Sequence, residues 1–159
     1  MANRFDKVED RMRFNMAEKY FEYVMHKKEM EYFKYGLDDG CNKLDRFVRN
    51  TPDYIVKKGK TSIPFFTEVK GCGEIARIKV KDFEEYKKWA KIMPLTYFFY
   101  STHYNDYKWV QHTEIALLEP ELNDQNFYPP DYEGGPNKYY YEILWSMMKW
   151  ARWLKRILK

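Results

Sequence analysis

Three residues of this chain have types and spacing suited to chemistry: Asp53, Glu68 and Lys70. They sit in two runs rich in aromatic and β-branched residues, Thr51-Pro52-Asp53-Tyr54-Ile55-Val56 and Pro64-Phe65-Phe66-Thr67-Glu68-Val69-Lys70-Gly71. The runs flank Lys57-Lys58-Gly59-Lys60, which predicts a hairpin with a loop longer than a tight turn. Side chains alternate along a strand, so Glu68 and Lys70 share one face and Val69 takes the other. Antiparallel pairing brings Asp53, at the start of the first strand, toward Glu68. Two carboxylates and an ammonium on one sheet face suit metal-assisted phosphodiester hydrolysis. A hard cation such as Mg²⁺ takes oxygen ligands, often only one or two carboxylates, and leaves the rest to water and phosphate. A lysine beside it stabilises transition-state charge or orients the attacking water, and burial next to a metal would lower its pKa.

Pro52-Asp53, fourteen intervening residues (54 to 67) and Glu68-Val69-Lys70 resemble the signature of the PD-(D/E)XK nuclease superfamily. The resemblance covers roughly residues 12 to 115 and looks most like small Holliday junction resolvases and phage-type endonucleases. It implies that Asp53 and Glu68 are metal ligands, that the Val69 backbone carbonyl is another, and that Lys70 is the catalytic lysine. A glutamate on the first helix often completes such a site, and Glu18 stands where it would be. The implied cofactor is Mg²⁺, with Mn²⁺ as a substitute. The implied substrate is nucleic acid, with DNA the expected form, and a homodimer is a further expectation. The implied fold is a restriction-endonuclease-like α/β core. Its central mixed sheet has four or five strands, flanked by helices in the order αβββαβ.

The elements that must position these residues follow from periodicity. Phe14, Ala17, Phe21, Val24 and Met25 form a 3.6-residue stripe, hence a first helix with Glu18 at the edge of the stripe. Tyr32 to Leu37 reads as a first strand, with a helix running on to Gly36 as the alternative. Ile75 to Val80 alternates and either extends the sheet or forms a loop. Asp82 with Glu85 three residues on reads as a capping box for a helix ending at Pro94. Tyr97 to Ser101 and Trp109 to Leu118 read as strands.

Lys43, Arg46 and Arg49 precede Asp53 in a loop, where phosphates would lie or where a solvated charged loop would simply sit. Residues 119–138, with four prolines and Gly134-Gly135, read as a long loop. Residues 139–159 read as a C-terminal helix, its apolar face opposed by Lys149, Arg152 and Arg156, with Trp145 among them. Three readings of that helix stay open: a basic groove with a base-stacking tryptophan, cations at a helix C-terminus with Arg packed on Trp, or a membrane-surface helix.

The totals set bounds. A length of 159 residues suits one domain, 1–159, with its core in 12–118. A net charge of +4 and a pI near 8.8 are compatible with nucleic acid without demanding it. No apolar run is long enough to span a bilayer, the N-terminus lacks the apolar core of a signal peptide, and Cys41 and Cys72 are too scattered for a disulfide framework. Together these predict a cytoplasmic protein. The rival function class is a non-catalytic module that binds nucleic acid or protein through its Trp/Tyr surface. A relaxase-type tyrosine nuclease is weaker, since no His-x-His is present to hold its metal.

Overall fold

The computed structural model describes residues 4–36, 50–60, 62–118, 125–127, 139–152 and 154. Helix α1 (Arg4–Lys27) is followed by strands β1 (Glu31–Lys34), β2 (Tyr54–Lys57), β3 (Phe65–Cys72) and β4 (Ile75–Lys79). Next come helix α2 (Val80–Ile92), strands β5 (Leu95–Ser101) and β6 (Asp106–Gln111), and helix α3 (His112–Leu118). Strands β7 (Gln125–Phe127) and β8 (Tyr139–Leu144) and a 3₁₀ turn (Trp145–Met147) complete the order. The result is a mixed α/β fold.

A five-stranded sheet in the order β1-β2-β3-β5-β6 forms its centre. β3 pairs parallel with β5 and every other pair is antiparallel. All of β5 is buried, as are the first five residues of β3, because both strands are covered on two faces. The hydrophobic alternation assigns those faces. Tyr54, Val56, Phe65, Val69, Phe98 and Trp109 meet Ala17, Phe21, Val24 and Met25 of α1. Phe66, Cys72, Tyr97 and Phe99 point the other way, onto Phe83, Tyr86 and Trp89 of α2. Burying a ring such as Phe21, which has no exposed surface, contributes about 1.5–3 kcal/mol. α1 approaches the sheet closely at Gly71, where a β-carbon would overlap the Arg13 carbonyl.

A second, antiparallel sheet in the order β4-β8-β7 packs on the α2 side. It accounts for the differences from the sequence expectations. Ile75 to Lys79 is a strand, but it joins this second sheet rather than the central one. Residues 139–147 are strand and 3₁₀ turn, not the expected C-terminal helix; only 152 and 154 of the described tail are helical. Tyr-Tyr-Tyr-Glu-Ile-Leu alternates with buried Tyr141 and Ile143, and Glu142 pairs across the strands with Arg77 at 2.8 Å. Within the expected loop at 119–138, residues 125–127 form β7, and the others lie outside the described residues. The run Trp109 to Leu118 divides into the end of β6 and the whole of α3. Among the described residues no helix is long and apolar enough to cross a membrane.

Candidate active site

The β2–β3 hairpin forms as its sequence predicts. Tyr54 pairs with Thr67, so one step further along the ladder sets Asp53 beside Glu68. Three main-chain contacts hold Asp53 there. Its carbonyl accepts from the Tyr35 and Gly36 N–H groups at 2.7 and 3.0 Å, and its Oδ2 accepts from the Val69 N–H at 2.8 Å. A β-carbon on Gly36 would come within 3.1 Å of the Asp53 Cα, so the residue after β1 packs directly on this corner. Glu68 and Lys70 emerge on the α2 side of β3. Lys70 Nζ donates to Glu68 Oε1 at 2.7 Å. Glu68 is only 5 % exposed, and its Oε2 is buried with no hydrogen-bond partner among the described residues. The Tyr86 ring of α2 lies against that carboxyl and feels its charge.

The electrostatics divide the carboxylates from the lysine. Burial pushes the Asp53 carboxyl well above the usual carboxylate range; the Glu68 charge adds to this, and Glu18 adds a smaller share. The Lys70 ammonium and the Val69 N–H pull the other way without cancelling the rise. For Lys70, burial alone would lower the pKa, but Glu68, Asp82 and Asp53 together outweigh it and the net shift is upward. The surrounding carboxylates favour the charged ammonium of Lys70.

The other predicted residues divide by position. Glu18 lies within electrostatic reach of Asp53 and makes a 3.8 Å ion pair with Lys34. Glu22, one turn on, faces the sheet as well and accepts from the Tyr54 hydroxyl at 3.3 Å. Lys149 and Arg152 are exposed. They flank the segment whose Ala151 N–H bonds the Trp109 carbonyl of β6, two strands away from β3, so the structure does not bring them to Asp53. Lys43, Arg46, Arg49 and Arg156 lie outside the described residues. Burial pushes the Cys72 thiol up to about 12 despite nearby Arg13, so it is a packing group.

The structure adds Asp82 to this corner. Asp82 does not cap α2. The helix begins at Val80, the capping position is Lys79 and no side chain caps it. Asp82 instead sits in the first turn, where its charge acts on Lys70, Tyr86 and Tyr97. The signal was available: Asp82 is four residues before the buried Tyr86, hence on the same inward face.

No protein-family model matches the sequence, and no curated protein does. Among solved structures the chain matches that of D212, a nuclease from a fusselovirus. The TM-score is 0.53 at 17 % identity, over 92 % of this chain and 88 % of that one. The two share a fold.

The donor set can be tested for a metal on its own terms. Among the described residues no three His, Cys, Asp or Glu side chains converge as a metal cluster. A carboxylate pair remains: Asp53, forced upward by burial and its neighbour, and Glu68, only 5 % exposed. Both features cost free energy that a divalent cation would relieve, and two carboxylates are enough for Mg²⁺.

Proposed function

We propose that this protein is a Mg²⁺-dependent nuclease of PD-(D/E)XK type, acting on DNA. The observation that carries the reading is the junction of Asp53, Glu68 and Lys70 at the β2–β3 corner of a fold shared with a viral nuclease. Asp53, Glu68 and the Val69 carbonyl would hold the cation, with Glu18 at its edge and Mn²⁺ as a substitute. When bound, the metal polarises the phosphodiester and favours formation of hydroxide from water.

The chain's own residues supply the rest. The Val69 N–H and the backbone of residues 35 and 36 fix Asp53, so its carboxylate needs little reorganisation to receive a cation. The charges of Glu68, Asp82 and Asp53 favour the protonated form of Lys70. Its ammonium is placed to meet charge developing on phosphate oxygens. Tyr86 and Tyr97, both buried beside Glu68, keep bulk water from that side of the carboxylate.

The test is cleavage by Asp53→Ala and Glu68→Ala variants with Mg²⁺ on a panel of duplex, single-stranded and branched DNA and of RNA. Each variant should lose cleavage while keeping its melting transition. Full Mg²⁺-dependent activity in either one overturns the assignment. Tight binding without cleavage by the unaltered protein on every substrate selects the non-catalytic binding module.

A further inference from the structure

The ends of the parallel strands β3 and β5 open onto a pocket that the proposed chemistry leaves unused. Its volume is about 440 Å³. Its walls carry Arg13 of α1, Arg77 of β4, and Thr102 and His103 of the β5–β6 turn, with Glu74 at the rim. Gly73 forms the floor. A β-carbon there would stand 3.9 Å from an Arg13 guanidinium nitrogen, so that guanidinium lies directly over the glycine. Arg77 is oriented by its Nε bond to Glu142 at 2.8 Å, and His103 Nε2 sits 3.1 Å from Glu74 Oε1.

Beside His103 stands an aromatic platform. The Tyr104 ring is 48 % exposed and stacks on Trp145 at 5.5 Å and 21°. The His103 ring meets its edge at 4.7 Å. The platform is built, not incidental. Lys108 Nζ lies 4.9 Å over Trp145 and donates to the Met148 carbonyl at 3.0 Å, fixing the 3₁₀ turn. Ser101 Oγ accepts from the Tyr104 N–H at 3.2 Å and donates to the Gly73 carbonyl at 2.6 Å. Tyr100 Oη donates to Asn105 Oδ1 at 2.8 Å. The turn is therefore tied down on both sides while one ring of it faces water.

An exposed, immobilised ring in contact with His103, at the edge of a pocket walled by two guanidiniums, matches what a nucleotide offers: a flat base and an anionic phosphate. We propose that this pocket binds one unpaired nucleotide of the nucleic-acid strand, its base on Tyr104 and its phosphate toward Arg13 and Arg77. A base inside a duplex has no free face to offer, so the substrate class is single-stranded or locally unpaired. Gly73 follows Lys70 by three strand residues, roughly 10 Å, so the bound nucleotide lies near the cleavage corner without being part of it. The inference deepens the nuclease reading and rests on it for the choice of ligand.

The experiment is fluorescence anisotropy of a labelled hexathymidylate against the full chain in EDTA, so that no cleavage occurs. Tyr104→Ala should weaken binding about tenfold to a hundredfold, and Tyr104→Phe should bind within about twofold of the unaltered protein. Arg13→Gln should weaken binding and flatten its dependence on salt. Binding of a blunt duplex should be insensitive to Tyr104→Ala. Unchanged hexathymidylate binding by Tyr104→Ala, or no binding by the unaltered protein, overturns the proposal. Cleavage is scored separately with Mg²⁺. Loss of binding in Tyr104→Ala by a protein that cuts nothing keeps the pocket and removes the nuclease reading. Unchanged binding by a protein that cuts removes the pocket alone.

Discussion

Replacing Lys70 by methionine isolates what the ammonium does for Glu68. The pair is short, 2.7 Å, and its two side chains are 20 % and 7 % exposed. Methionine keeps most of the stem volume and removes the charge. Glu68 is then left ionised and unpaired in a buried place, which costs about 3–5 kcal/mol. Lys70→Met should therefore lose about 3 kcal/mol at pH 7, near 10 °C in Tm. Glu68→Gln in the same background should recover most of the loss. The assay is urea unfolding at pH 7 without divalent cation. A loss under about 0.5 kcal/mol would mean that Glu68 is hydrated, and the reasoning about the pair would fall. A loss that Glu68→Gln does not recover would point to packing, not charge.

Asp53→Asn tests the other carboxylate. Its folded pKa is raised, so the protonated form favours the fold: that contribution is complete below the ordinary Asp value near 4 and is lost as pH rises through the raised value. Asn mimics the protonated state, so without metal the variant should melt higher than the parent at pH 7.5, on the order of 1 kcal/mol, with the gain vanishing near pH 3.5. A lower melt at pH 7.5 would refute it. Glu18→Gln should shift the Mg²⁺ concentration needed for cleavage, whereas Glu22→Gln, bonded to Tyr54, should leave it unchanged and alter stability by no more than about 0.5 kcal/mol. The reverse pattern in Mg²⁺ titrations would move the site along α1. Lys149→Gln with Arg152→Gln should lower the slope of log affinity against log salt if that edge of the sheet meets phosphates, and an unchanged slope in filter binding would remove it from the interface.

The hairpin was legible because its signals are local. Period-two alternation, a glycine-bearing turn and Pro52 before Asp53 all lie within some twenty residues. The first helix was legible for the same reason, and its stripe put Glu18 near Asp53. What failed was long-range or ambiguous in period. β8 was hidden because Ile143, Met147, Trp150 and Leu154 fall at i, i+4, i+7 and i+11, a helical stripe that runs through the end of the strand; the partner that decides, β4, is 65 residues away at the Arg77–Glu142 pair. The division of Trp109–Leu118 carries no glycine or proline to mark it; a buried hydrogen bond between His112 Nδ1 and the Tyr97 hydroxyl, at 3.1 Å, holds the start of α3 against β5. Asp82 was misread because a carboxylate near a helix start has a good local explanation, and only the position of β3 shows that it faces Lys70.

The close approach at Gly71 reaches further than packing. Arg13 sits on that glycine through its backbone and over Gly73 through its guanidinium, while Glu18 stands five residues, about 7.5 Å, further along the same rigid rod. One glycine thus acts as the stop that sets how far α1 slides along β3. Displacing the rod would shift Glu18 relative to Asp53 and Arg13 relative to its pocket in the same stroke. Two proposed sites along one strand are gauged from one point that itself bears no chemistry.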